Sequence, residues 1–322
     1  MSTSRVSILI PCYNGEKYID RAFESILSQT EKGIQVIFTD DGSTDNSILT
    51  AESYIQRFKE KGFQLIILKK DNGGAASAIK LCLTKVSNKY VFPFDVDDLL
   101  LPDACELMAD FLDNNPDCNL ILANGFSVTE NARTIIRKDD LPQKCSIFNG
   151  LLDGTVCNIP GMYMVRSFPI KEYYFNHTFI ESRFGQNLQL LLPAAYNSTA
   201  GYISKPVLLY TVHQGSHSNP GNYEGKMKNM DGYRQIRLDM LNDMKLLSDE
   251  NKRLVEMAYY SAALIVDAQY GRCEEYNMHY NELRKFRAPL FRERMEYSII
   301  NELPSQYLYR FIFRIQSLIS RR

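Results

Sequence analysis

Three carboxylates fall within four residues at Asp95-Val96-Asp97-Asp98. Side chains this close repel one another unless a cation neutralises them. Hard divalent ions such as Mg2+ or Mn2+ take oxygen ligands and share their remaining positions with phosphate. The segment therefore reads as a cation site facing a phosphorylated ligand, with a second reading in which Asp98 caps a helix starting near Pro102. Another acidic pair opens the run Asp40-Asp41-Gly42-Ser43-Thr44-Asp45. Asp-Gly is a turn dipeptide and Asp45 a suitable helix cap. Those roles leave the Asp40-Asp41 pair unexplained, and a carboxylate accepting an N–H from a nucleobase would account for it. Two further polar runs are Pro11-Cys12-Tyr13-Asn14-Gly15 and Lys70-Asp71-Asn72-Gly73-Gly74.

Each run follows a short apolar segment. Val6 to Ile10, Ile34 to Phe38, Phe63 to Leu68 and Tyr90 to Phe94 have the length and composition of strands buried on both faces. Between them lie helical faces: Tyr18, Ile19, Ala22, Phe23, Ile26 and Leu27 share one, and Ile48 to Phe58, Ala75 to Val86 and Pro102 to Leu112 repeat the pattern. Asn119 to Ala123 reads as a fifth strand. Such alternation predicts an α/β fold, a mainly parallel sheet with helices on both faces. In such a sheet ligands bind beyond the carboxyl ends of the strands, where all four polar runs fall. No GxGxxG follows the first strand, so a dinucleotide fingerprint is absent.

From about Asn124 to Val212 the pattern is irregular, with a short helix near Gln186 to Leu192 and a strand at Val207 to Val212. After the polar stretch Gln214 to Gly225 the chain reads as helical to its end. The expected division is a nucleotide-binding domain over 1–220 and a helical region over 221–322.

The bulk properties narrow the field. With 322 residues, 45% of them hydrophobic, the chain can bury a sizeable core, and a formal net charge of −1 argues against nucleic acid as a partner. Seven scattered cysteines without a CxxC pair suit a reducing compartment and offer no zinc site. The apolar run at the start is too short for a signal peptide, and no window approaches the ~18 apolar residues of a spanning helix. These features point to the cytoplasm.

The blocks VSILIPCYNGEKYIDRAFESILSQ, VIFTDDGSTDNS, DNGGAASA and FDVDDLLLPDA, in that order and spacing over about residues 4 to 115, resemble the family 2 glycosyltransferases of the GT-A fold. Gly185-Gln186-Asn187 and Tyr210-Thr211-Val212-His213 fit the same family more loosely. The resemblance implies that Pro11, Tyr13, Asn14 and Asn72 wrap the nucleotide of a UDP-sugar donor and that Asp41 reads its base. It further implies that Asp95 and Asp97 hold the ribose and the metal side of the nucleotide, with Asp97 and Asp98 on Mn2+ or Mg2+, and that transfer inverts the anomeric centre.

The family's base usually comes from a Glu-Asp motif. Here the aligned positions read Gln186-Asn187, and neither amide accepts a proton at neutral pH. Glu181 and His213 are the candidates to replace it, with His217 close behind. Residues 284 to 322 carry nine Arg or Lys against three Glu. Arg310, Arg314 and Arg321 fall within about 40° on a helical wheel. This basic, aromatic tail suggests peripheral contact with an anionic membrane, hence a saccharide acceptor linked to a polyprenyl diphosphate in bacterial surface polysaccharide synthesis. Two other readings compete: a sugar-nucleotide pyrophosphorylase, whose Gly- and Lys-rich first loop is missing, and a pseudo-transferase that binds donor without turnover.

Overall fold

A computed structural model describes residues 4–129, 132–137, 142–212 and 221–302, without the side chains of 299–302. The amino-terminal half alternates as expected: β1 (Val6–Cys12), α1 (Glu16–Leu27), β2 (Gln35–Asp40), α2 (Ser47–Ser53), α3 (Ile55–Glu60), β3 (Gln64–Lys69), α4 (Ala75–Leu83), β4 (Tyr90–Pro93), a short β5 (Leu99–Leu100) and α5 (Ala104–Asn114). Where one helix was expected over Ile48 to Phe58, two form, interrupted at Tyr54. Asp98 caps no helix; the capping position of α5 is Asp103.

The irregular middle contributes β6 (Cys118–Val128), β7 (Arg133–Ile135), β8 (Lys144–Cys145), α6 (Phe148–Leu152), β9 (Tyr163–Arg166), α7 (Ser167–Asn176), α8 (Gln186–Ala195) and β10 (Thr199–Thr211). One sheet runs in the order β3-β2-β1-β4-β9-β6-β10-β5, with β7 on β6 and β8 on β10. β3, β2, β1 and β4 are mutually parallel, with Ile8 opposite Val36 on one side and Phe92 on the other. β9 is antiparallel to both β4 and β6. Two antiparallel steps leave β6, and with it the parallel β10, running in the direction of β4.

Burial explains the patterning. Every residue of β2 is buried, and β1 is buried except at Pro11, as strands covered on both faces must be. α1 lays Ile19, Ala22, Phe23 and Ile26 on the sheet, all fully buried. Phe23 meets Phe38, Tyr54 and Phe58 edge-on, with centroids 5.2 to 5.7 Å apart. Each such side chain contributes ~1.5–3 kcal/mol on burial, so this layer fixes where the strands end.

The chain divides into two compact units, one of Met1–Leu151 with Val156–Gln214 and one of Leu152–Thr155 with Gly215–Arg322. The second holds α9 (Tyr223–Asp243), α10 (Asp249–Tyr270), α11 (Cys273–Leu283) and α12 (Phe291–Glu302). Its own small core joins Leu264, Ala268, Tyr276, Tyr280 and Leu283. Among the described residues no helix is long and apolar enough to cross a membrane. His213, His217 and the basic stripe Arg310, Arg314 and Arg321 lie outside the described residues.

Candidate active site

The parallel register brings the carboxyl ends of β1, β2, β3 and β4 to one edge of the sheet, and the polar runs to one another. The loop after β1 is clamped to the loop after β2. Asn14 N–H donates to Ser43 Oγ (2.9 Å), and Asn14 Oδ1 accepts from Thr44 N–H (2.8 Å). Gly15 N–H donates to Ser47 Oγ (2.9 Å), and Glu16 N–H to Asp45 Oδ2 (3.1 Å). Asp45 also accepts from Ser47 N–H; it sits one residue before Asn46, the capping position of α2. Asn14 takes a left-handed conformation, φ 51°, which asparagine tolerates better than most residues. Tyr13 is half exposed beside it. Burial, first among the causes, pushes the Cys12 thiol up to about 12.

Asp41 is buried and organises the next loop. Its Oδ1 accepts from Lys70 Nζ (2.6 Å) and Gly73 N–H (3.0 Å), and its Oδ2 from Gly74 N–H (2.7 Å). Gly42 must be glycine: its φ is +77°, and an added Cβ would stand 2.8 Å from Asn72 N. Asn72, exposed, therefore lies directly against the Asp-Gly turn. Lys70 was not singled out from sequence, although its place immediately after β3 was a usable signal.

The acidic triad follows β4. The ligand oxygens of Asp95, Asp97 and Asp98 lie within 4.8 Å of one another. Asp98 is buried; its Oδ1 accepts from Thr211 N–H at 2.8 Å, while its Oδ2 is buried without a hydrogen-bond partner. Burial, then the charges of Asp95 and Asp97, pushes the Asp98 carboxyl up to about 9. Burial and Asp97 push Asp95 up to about 7. An orphaned buried oxygen in a crowded set of carboxylates is what a hard divalent cation would satisfy, and the donor set fits one.

The bond from Thr211 draws the end of β10 onto the triad, across 113 residues of sequence. Sequence periodicity carries no signal for such a contact. Tyr163 on β9 is another residue that sequence reasoning missed. It is buried close enough to Asp95 for that charge, after burial itself, to hold its phenol well above the ordinary range. Its hydroxyl donates to Asn187 Oδ1 at 2.7 Å, so the amide in the place of the family's base is engaged with β9. Gln186 opens α8 after Gly185, which takes a left-handed conformation. Glu181 lies on the loop before α8, 82% exposed and 3.7 Å from Lys80. The described bonds do not connect Glu181 to the triad.

A family profile described as "Glycosyl transferase family 2" matches residues 7–174. Among curated proteins, chondroitin synthase of Pasteurella multocida (strain Pm70) is 37% identical over 142 residues, which is 40% of this chain and 14% of that protein. The chain spans between 14% and 37% of the length of the curated relatives it matches. Among solved structures, S. aureus TarS 1-349 in complex with UDP-GlcNAc aligns with a TM-score of 0.60 at 17% identity, over 96% of this chain and 89% of that one. The mannosyltransferase PcManGT from Pyrobaculum calidifontis, in complex with GDP-Man and Mn2+, aligns with a TM-score of 0.54 at 14% identity, over 100% of this chain and 89% of that one. At these identities the structural likeness speaks for the fold alone.

Proposed function

From the premise that this chain belongs to glycosyl transferase family 2, we propose that it moves a sugar from a UDP-sugar onto a saccharide acceptor, with inversion, assisted by Mn2+ or Mg2+. The observation that carries the reading is the acidic triad, with the buried and unpartnered Oδ2 of Asp98, at the strand edge where three clamped loops meet.

In this reading Asp97 and Asp98 hold the ion and Asp95 faces the ribose. Bound there, the ion would neutralise charge that grows on the departing nucleoside diphosphate, worth several kcal/mol. Pro11, Tyr13, Asn14 and Asn72 line the nucleotide, with Asn14 fixed in place by Ser43 and Thr44. Asp41 already accepts three donors. A carboxylate has about four lone-pair sites, which leaves one for the base N–H. The charge beside it comes from Lys70, so Asp41 both reads the base and sets the shape of the turn at Gly73 and Gly74.

His213 is our choice for the acceptor's base or a further metal ligand. It follows Thr211 by two residues, and Thr211 is bonded to Asp98. Glu181 is the alternative base. The acceptor is proposed to be lipid-linked, with residues 303–322 as the contact to an anionic inner membrane surface and 1–220 as the catalytic domain. The likeness to a chondroitin synthase supports a saccharide as the acceptor. A second reading, donor binding without turnover, draws on Gln186 and on the Asn187 amide being taken up by Tyr163.

The test is a purified-protein assay with a panel of UDP-sugars and lipid-linked or free saccharides, products read by mass spectrometry. A glycosylated product that requires a divalent ion supports the proposal; donor binding with no product or donor hydrolysis selects the second reading. Competition by UDP, GDP and CDP checks the base. Asp41→Asn should weaken UDP by ~1.5–3 kcal/mol and reduce its advantage over the other two. Unchanged selectivity would remove Asp41 from base recognition.

A further inference from the structure

The helical unit carries a cleft of about 460 Å3 between α9, α10 and the segment after α11. That volume lies in the ordinary range for small-ligand sites, ~300–1,000 Å3. At its base Glu256 is 3% exposed. One of its oxygens accepts from Arg234 at 2.7 Å, while Oε2 is buried with no hydrogen-bond partner, as is Arg234 Nε. The guanidinium is held from its other side by the ring of Tyr259, 4.9 Å away, and that ring is in turn fixed through its hydroxyl to Asp231. Tyr260 and Phe286, stacked with centroids 6.0 Å apart and 19° between planes, form an apolar wall. Arg253 pins Phe286 by donating to its carbonyl oxygen. Lys252 and Asp249 complete the rim.

Resting on the transferase reading, we infer that this cleft is a saccharide subsite that holds a stretch of the acceptor glycan bearing an acid group. A sugar offers one apolar face, which suits the wall of Tyr260 and Phe286. Its hydroxyls both donate and accept, which suits the charged rim of Asp249, Lys252 and Arg253. Three cations, Arg234, Lys252 and Arg253, stand against the two carboxylates Asp249 and Glu256. The excess favours an acidic sugar over a neutral one. The Arg234 guanidinium is set before any ligand arrives, so little ordering is left for binding.

The test titrates the full chain with size-matched oligosaccharides, neutral (dextran fragments) and uronate-bearing (hyaluronan and alginate fragments), and follows UDP binding in parallel. Wild-type protein should bind a uronate-bearing fragment about tenfold more tightly than the neutral one. K252E, a rim substitution that leaves the buried pair alone, should weaken that binding about tenfold, and E256Q, which removes an opposing negative charge, should not weaken it. UDP affinity should stay unchanged in both. Wild-type protein that binds none of the fragments overturns the subsite, and so does equal affinity in wild type and K252E. Wild-type protein that binds the fragments but not UDP keeps the subsite and overturns the donor reading instead.

Discussion

Both edges of the parallel sheet are acidic, and they are treated in opposite ways. At the amino ends of β1 and β4, Arg5 bonds Glu31 (3.0 Å), Asp110 (2.8 Å) and Asp113 (2.7 Å), and Lys89 and Tyr90 also donate to Asp113. Hydrogen bonds from Lys89, Tyr90 and Arg5 outweigh the effect of burial and hold the Asp113 carboxyl well below the usual range. At the carboxyl ends, burial and the neighbouring aspartates push Asp95 and Asp98 upward, and Asp98 Oδ2 is buried without a hydrogen-bond partner. One acidic cluster is satisfied by the protein's own cations, while the other keeps a buried carboxylate oxygen, Asp98 Oδ2, without a hydrogen bond, which suits a cation from outside. Charge density alone does not mark a site; a buried carboxylate oxygen without a hydrogen bond does.

The largest expected effect breaks the carboxyl edge. Asp97→Ala or Asp98→Ala should cost on the order of 10^3-fold in transfer or more, with thermal unfolding of ligand-free Asp97→Ala no lower than wild type. Removing one member of a repelling set relieves the others. Transfer retained by either variant, with its ion dependence intact, would remove the triad from the mechanism. At the amino edge the outcome should reverse. Arg5→Ala leaves the buried Glu31 without its partner and should destabilise by about 3 kcal/mol, measured by denaturant unfolding. Activity per folded molecule should not change, and a loss of activity without a loss of stability would contradict the division of roles.

How far this contrast could be read from sequence depends on distance along the chain. The triad and the four polar runs were legible, because a buried strand followed by a polar run is a local pattern. So was the helical face of Ile19, Ala22, Phe23 and Ile26. What neutralises an acid is not local: Arg5 reaches Asp110 and Asp113 across more than a hundred residues, and Thr211 reaches Asp98 across a similar span. β9 was invisible for a related reason. Its four residues Tyr163–Arg166 form a strand only because β4 and β6 flank it. Asp98 as a helix cap was a fair local reading, overruled by the backbone of β10.

The two edges should also respond to pH in opposite directions. A carboxyl raised in the folded state keeps its proton longer than in the unfolded chain. Its stabilising share is complete below the ordinary value near 4, and declines as pH rises towards about 7 for Asp95 and about 9 for Asp98. Asp113, lowered in the folded state, contributes above pH ~4 and loses its share as pH falls below that. Without added metal the protein should therefore lose stability from about pH 5 to pH 9, by a fraction of the ~1.4 kcal/mol per pH unit that one whole proton would give. A divalent ion should flatten that slope, and Asp98→Asn should flatten it without the ion. A slope that neither changes would mean the triad is already neutralised within the protein.

The smallest effect is expected at Glu181, which is exposed and paired only loosely with Lys80. Glu181→Gln should change the turnover rate less than about threefold, since a solvated ion pair of this kind is worth ~0–1 kcal/mol. A fall of a hundredfold or more, with donor affinity unchanged, would instead make Glu181 the base and release His213 from that role.

The most direct test of the triad's role is the coupling between cation and nucleotide. Calorimetric titration of UDP into the full chain, with and without Mn2+, measures it at one pH in wild type and in Asp98→Asn. The account predicts that Mn2+ tightens UDP binding by about tenfold or more in wild type, a coupling of ~1.4 kcal/mol, and that Asp98→Asn abolishes the difference. Equal UDP affinity with and without the ion in wild-type protein would contradict the account.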